Sequence, residues 1–214
     1  MKTLFFCLLS FFCLQPCEAQ KAVVANLKKN IVDVGYPNPL EILVEGYKCS
    51  EFDVTTNNGV IIKDDSNCSY VYTPERQGIS RIIISTKNGS IISMIDFRAK
   101  FLQLDVAAEF CVSTRGVMYM QDLMRCNEIY TYVKGFDWDA GFRIQKYCVA
   151  IIRRDDTVFF CNDLIGNTLS KKLRQEFKKN IDHLDHLVFY GITAKGPDRR
   201  ILELTPLEFT ITKK

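Results

Sequence analysis

The chain has 214 residues, with 28 Lys and Arg against 25 Asp and Glu, a formal net charge of +3, and 25% of its residues charged. So small an excess, with no basic run or stripe, gives no reason to expect a nucleic-acid partner. A chain of this length suits one large domain or two small ones.

The first residues read as a secretory signal peptide. Lys2 supplies the positive start and Leu4 to Leu14 the apolar stretch, and Cys17-Glu18-Ala19 sets small residues at the −3 and −1 positions before Gln20. Cleavage is expected after Ala19, leaving a protein in the periplasm or outside the cell. The apolar stretch is shorter than the ~20 residues needed to span a bilayer, and no later segment reaches that length. A retained anchor and lipid attachment at Cys17 are the alternatives, with Pro16 standing where a lipoprotein has a small residue.

From residue 20 to about 100 the chain alternates short β-prone runs with turns. Val23 to Leu27 and Ile31 to Val34 come first, then the rigid turn Gly35-Tyr36-Pro37-Asn38-Pro39. Leu40 to Val44, Asp53 to Thr56, Val60 to Lys63, Ser69 to Tyr72, Ile79 to Ser85 and Ile91 to Phe97 follow, with Asn57-Asn58-Gly59 and Lys87-Asn88-Gly89 as tight turns. About seven such strands without a helical period predict a small sandwich over residues 20–100. Residues 101–214 differ. Val117 to Met124 carries Val117, Met120, Leu123 and Met124 near helical spacing and predicts a short helix. Strands are expected at Ile129 to Val133, Phe142 to Ile152 and Val158 to Cys161. Leu169, Leu173, Phe177 and Ile181 recur every fourth residue, so a second helix is predicted there with Ser170 or Thr168 at its N-cap. Its Lys171, Lys172, Arg174, Lys178 and Lys179, interrupted by Glu176, read as a solvated face. A closing hairpin is expected from Leu187 to Ala194 and Ile201 to Ile211, turned by Gly196-Pro197-Asp198-Arg199. The fold class is therefore mainly β, a sandwich followed by a second β-rich domain with one or two helices.

Of nine cysteines, six follow Ala19: Cys49, Cys68, Cys111, Cys126, Cys148 and Cys161. An even number in an exported chain predicts disulfides, and no C-x-x-C pair suggests zinc instead. Cys49 and Cys68 lie in the first half, so a bridge between them would stay within one domain. The turn Arg153-Arg154-Asp155-Asp156 joins two strands, and symmetry about Arg154 and Asp155 sets Cys148 opposite Cys161. Opposed Cβ atoms stand ~4.5–5.5 Å apart, close to disulfide reach.

Candidate chemistry is sparse. His183 and His186, with Asp182 and Asp185, have a spacing two metal ligands could use, but two histidines without a third ligand read more simply as a polar helix-to-strand connection. Asp137 and Asp139 flank Trp138, and paired carboxylates serve acid–base chemistry in glycosidases. In a strand they would share one face and Phe136 and Trp138 the other, which sets the acids in solvent. No G-x-S-x-G, H-E-x-x-H or phosphate-cradling glycine loop occurs. No catalytic residue, metal or cofactor is expected.

Four stretches together resemble the C-terminal region of the GldM family of the gliding-motility and type IX secretion machinery. They are Val32 to Leu40, with Gly35, Asn38 and Pro39; Gly135-Phe136-Asp137-Trp138-Asp139 with Phe142; the Leu169 to Ile181 helix and the strand after it; and Ile192 to Asp198, with Lys195, Gly196, Pro197 and Asp198, continuing to Ile211. The resemblance implies an immunoglobulin-like β domain followed by a GldM C-terminal-like β-rich domain. It implies a freestanding relative of the periplasmic tip, without the membrane helix and preceding domains, and with six cysteines added. The expected function is a non-catalytic exported interaction module with a protein partner in the cell envelope, secretion-system components among them, and with self-association open. The alternative is a secreted adhesin or enzyme built on a sandwich scaffold.

Overall fold

The computed structural model describes residues 22–25, 30–64, 68–135, 139–153, 156–160, 164–179 and 183–213. The chain divides into two units. The first takes the chain through Val32, then residues 37–73 and 78–98; the second takes 33–36, 74–77 and everything from Ala99.

The first unit holds β1 (Ala22–Ala25), β2 (Ile31–Asp33), β3 (Asn38–Val44), β4 (Phe52–Thr56), β5 (Val60–Lys63), β6 (Ser69–Thr73), β7 (Gly78–Thr86) and β8 (Ile91–Lys100). Alternation sets its faces: Leu40, Ile42 and Val44 of β3 are buried while Glu41 and Leu43 are exposed. Two four-stranded sheets result, in the orders β1-β3-β6-β5 and β2-β8-β7-β4. That is the A-B-E-D sheet opposite the G-F-C sheet of an immunoglobulin-like sandwich, with β2 added beside β8. Unlike the core of antibody domains, this one is crossed by no disulfide among the described residues. Ile42, Tyr72, Ile82, Ile84 and Phe97 fill it, and the buried Tyr72 hydroxyl donates to the Asn58 carbonyl at 2.7 Å and meets Ser80. A bridge from Cys49 to Cys68 instead ties the β3–β4 connection to the start of β6. The turn read at residues 35–39 is shorter than expected, because Asn38 and Pro39 already belong to β3. Pro39 is tolerated there because β1 pairs only with Glu41 to Val44, so its missing N–H breaks no ladder bond on that side.

The second unit contains β9 (Val106–Phe110), β10 (Arg115–Tyr119), α1 (Met120–Arg125), β11 (Ile129–Val133), β12 (Arg143–Arg153), β13 (Thr157–Phe160), α2 (Lys171–Lys179), β14 (Leu184–Lys195), β15 (Ile201–Glu203) and β16 (Leu207–Thr212). Five strands run in the order β10-β16-β14-β12-β13, with β15 also beside β14, and β9 pairs with β11 in a separate two-stranded sheet. Phe110, Tyr147, Phe189 and Phe209 form an aromatic centre, closed by Leu123 of α1 and by Leu173 and Phe177 of α2.

Three elements depart from the sequence reading. The stretch expected as one helix from Val117 is a strand and then a helix, because β10 pairs in parallel with β16 and leaves Val117 69% exposed while Met118 turns inward. The single strand expected from Ile201 to Ile211 is interrupted before Pro206, which has no N–H to give; β15 and β16 pair with β14 separately. A further strand, β9, stands where none was predicted. The β12–β13 hairpin has the predicted register, from Val149 opposite Phe160 to Ile152 opposite Thr157. Among the described residues, no helix is long and apolar enough to cross a membrane.

Candidate functional site

The residues carrying the resemblance separate into two places. Asn38 donates from Nδ2 to the Tyr72 carbonyl at 3.1 Å within the first unit, beside Pro39. Gly35, Asp139, Lys195, Gly196, Pro197 and Asp198 all belong to the second unit. Phe136, Asp137 and Trp138 lie outside the described residues.

The second group builds a tight node. Gly35 has φ +78°, and a Cβ there would stand 2.5 Å from the Asp198 backbone. A Cβ on Gly196 would meet Asp198 Oδ1 at 2.7 Å and the Phe142 ring at 2.8 Å. The Asp198 carboxylate is fully enclosed: it accepts from the Arg200 backbone N–H at 3.0 Å and from Arg200 Nε at 2.6 Å. Arg200 donates on to the Leu102 carbonyl at 2.9 Å and lies 4.5 Å from the centre of the Phe101 ring. The Tyr36 hydroxyl donates to the Ala140 carbonyl at 3.0 Å, and Arg199 pairs with Glu75 at 3.5 Å. Lys195, at the end of β14, stands opposite Arg143.

Asp139 is exposed, as expected of an acid in solvent, but it sits in an irregular stretch and not in a strand. It accepts from both terminal nitrogens of Arg143, at 3.1 and 2.8 Å, and from the Gly141 N–H at 2.8 Å. The Arg143 guanidinium holds its carboxyl below the usual aspartate range. Asp198, Glu75 and Asp139 are thus each engaged by an arginine, an arrangement that orients loops.

His183 is exposed, and His186 Nδ1 lies 3.4 Å from Thr210 Oγ1 in the sheet. Asp182 falls outside the described residues. Among the described residues, no three of His, Cys, Asp and Glu gather to hold a metal. Cys111 and Cys126 are bridged, Cys148 is disulfide-bonded, and Cys161 lies outside the described residues.

The large sheet has two unlike faces. Leu187, Phe189, Leu207, Phe209, Val149 and Ile151 point into the core. The opposite face presents Phe159, Val117 and Tyr119 exposed at its margins, with Ile152, Val188 and Tyr190 half-buried between them. Its polar members are Arg115, Glu208, Thr210 and His186. A cleft of about 380 Å³ opens elsewhere in the unit, between Tyr130, Asp139, Arg143 and Asn167.

No family model matches the chain. No curated protein matches it either. Among solved structures it is similar to the fibronectin(III)-like modules of Clostridium thermocellum CbhA, at 10% identity and a TM-score of 0.28, covering 91% of this chain and 94% of that one. It is also similar to domains 6-7 of the surface layer protein SbsC, at 9% identity and a TM-score of 0.33, covering 90% and 98%.

The node's candidate residues stand out singly in the sequence, but nothing local says that they meet, and Tyr36 and Arg200 were not among the candidates. The outer sheet face was missed as well. Its signal was present in β13, where Phe159 and Phe160 adjoin: in a strand, one of two neighbouring rings must face away from the core.

Proposed function

We propose that this protein is a non-catalytic, exported interaction module of the cell envelope, a relative of the GldM tip that works through the outer face of its large sheet. That face carries the reading. A solvated sheet face is ordinarily polar, whereas Phe159, Val117 and Tyr119 remain exposed here around an apolar middle. The Cys49–Cys68 and Cys111–Cys126 bridges support an oxidising compartment. The test is retention of envelope proteins on the immobilised wild type, Phe159→Lys and Val117→Asp. A defined protein kept by the wild type and lost by both variants is expected; equal retention by all three overturns the reading.

A second reading, a saccharide-binding adhesin, is favoured by the Tyr130 cleft, where a half-exposed ring stands beside the Asp139–Arg143 pair and Asn167. Binding of a soluble oligosaccharide by the wild type, lost in Tyr130→Ala and Asp139→Asn, would favour it over the first.

A further inference from the structure

The positive charge of the chain is gathered on α2. Its nine residues hold five of the 28 Lys and Arg but one of the 25 Asp and Glu, a net +4. The whole chain carries +3, so everything outside the helix sums to −1. Leu173 and Phe177 commit one side of α2 to the core. At ~100° per residue the five cations fall within an arc of about 160° on the opposite side, with Gln175 the one other residue inside it. Lys171, Lys172, Lys178 and Lys179 are exposed and Arg174 is half-buried. Glu176 stands at the margin of the arc and pairs with Lys179 at 2.9 Å.

This arrangement does not serve the helix. Ser170 caps α2, so Lys171 and Lys172 occupy its first turn, where the positive end of the helix dipole favours acids and none is present. Arg174 and Lys178 stand four residues apart, a like-charged pair that also destabilises. Arg174 donates to Asn127 Oδ1 at 3.0 Å, and Lys172 lies 5.9 Å from the centre of the Phe160 ring. Both contacts hold a cation in place without neutralising it. Cations set against their own helix, with a single acid among them, point to an anion from outside.

That anion is a surface and not an enclosed molecule. The cations project from the convex side of one helix, and they line neither the Tyr130 cleft nor the cleft of Tyr132 and Arg115. At 1.5 Å per residue α2 is only ~13 Å long, so its long side chains can reach one plane together. Its apolar side is already in the core and has nothing to insert, which leaves electrostatic attraction to charged headgroups. We propose that the basic face of α2 docks on an anionic lipid bilayer, its lysines against the phosphates. This goes beyond the reading of the outer sheet face and does not depend on it.

Cosedimentation of the disulfide-intact protein with phosphatidylcholine vesicles, with and without about 30% phosphatidylglycerol, tests it. Binding to the anionic vesicles should be about tenfold tighter or more, and most of it should be lost between about 0.05 and about 0.5 M salt. Lys171→Glu with Lys178→Glu makes the helix neutral and should weaken that binding by about tenfold or more. Lys48→Glu with Lys100→Glu makes the same change in net charge on other elements and should keep most of it. Lys171→Arg with Lys178→Arg should bind as the wild type does. An acid at the start of α2 suits the dipole, and Glu at 178 relieves the repulsion of Arg174, so the neutral-helix variant should hold its melting midpoint while losing the vesicles. Equal binding to both kinds of vesicle, binding to neither, or equal loss in the two Lys→Glu pairs overturns the proposal. Retention on dextran sulfate without vesicle binding overturns the membrane assignment in favour of a soluble polyanion.

Discussion

Gly35 and Gly46 share a backbone conformation, φ +78°, but not an environment. Around Gly46 no atom lies within 4 Å of where a methyl would stand, whereas at Gly35 the Asp198 backbone is 2.5 Å away. Alanine at Gly46 should therefore cost only the left-handed conformation, about 1 kcal/mol. Alanine at Gly35 should cost about 3–5 kcal/mol, because backbone must also move. Denaturant unfolding of the two variants separates the terms. Tyr147 supports a pH prediction. Burial pushes its phenol up to about 12, and its hydroxyl donates to the Thr168 carbonyl at 2.9 Å. In the unfolded chain the group titrates near ~10, so its contribution is complete below that pH and is lost as pH rises from about 10 towards about 12. Tyr147→Phe should flatten this alkaline loss in urea titrations while costing about 1 kcal/mol at neutral pH. These residues show how far single positions were legible. Gly35 and Asp198 each stood out as a turn residue, but that they touch depends on long-range packing, which no local pattern encodes.

Among elements, legibility followed the strength of the periodicity. The fourfold repeat from Leu169 to Phe177 marked α2, and the structure chooses between the two proposed caps: the Leu173 N–H donates to Ser170 Oγ at 3.1 Å. The β12–β13 register was legible because its two strongly apolar strands flank a short polar stretch. Non-reducing peptide mapping should accordingly recover Cys148 linked to Cys161. β9 escaped notice because its inward positions include the small Ala108, which weakens the alternation with Phe110. β10 was misread because pairing with β16, nearly a hundred residues on, outweighs a short helical spacing. Between β9 and β10 the chain reverses in two residues, with Phe110 and Ser113 exchanging hydrogen bonds of 2.8 and 3.0 Å. Cys111 and Val112 occupy that turn at φ 54° and 60°, where Asn-Gly is the usual pair. Val112 is β-branched and 89% exposed, so Val112→Gly should raise stability by about 1 kcal/mol in thermal or urea unfolding.

For the molecule as a whole, composition and turn spacing made a mainly β protein legible, but not the route of the chain. Residues 33–36 and 74–77 fold with the second unit, so that unit draws on three stretches of sequence. A fragment beginning at Ala99 lacks the Gly35–Asp198 contact, the Tyr36–Ala140 hydrogen bond and the Arg199–Glu75 pair. It should melt well below the second unit of the full chain, which comparative circular dichroism would show; equal melting would mean these inserts add nothing. The position of β16 has a further consequence. It fills the slot between β10 and β14, an interior place in the sheet supplied by residues 207–212. Until those residues arrive, one edge of β14 stays open and β10 has no neighbour to join. A polypeptide threaded through a translocation pore amino-end first would thus keep this half uncommitted during passage and close it only once its final strand had crossed.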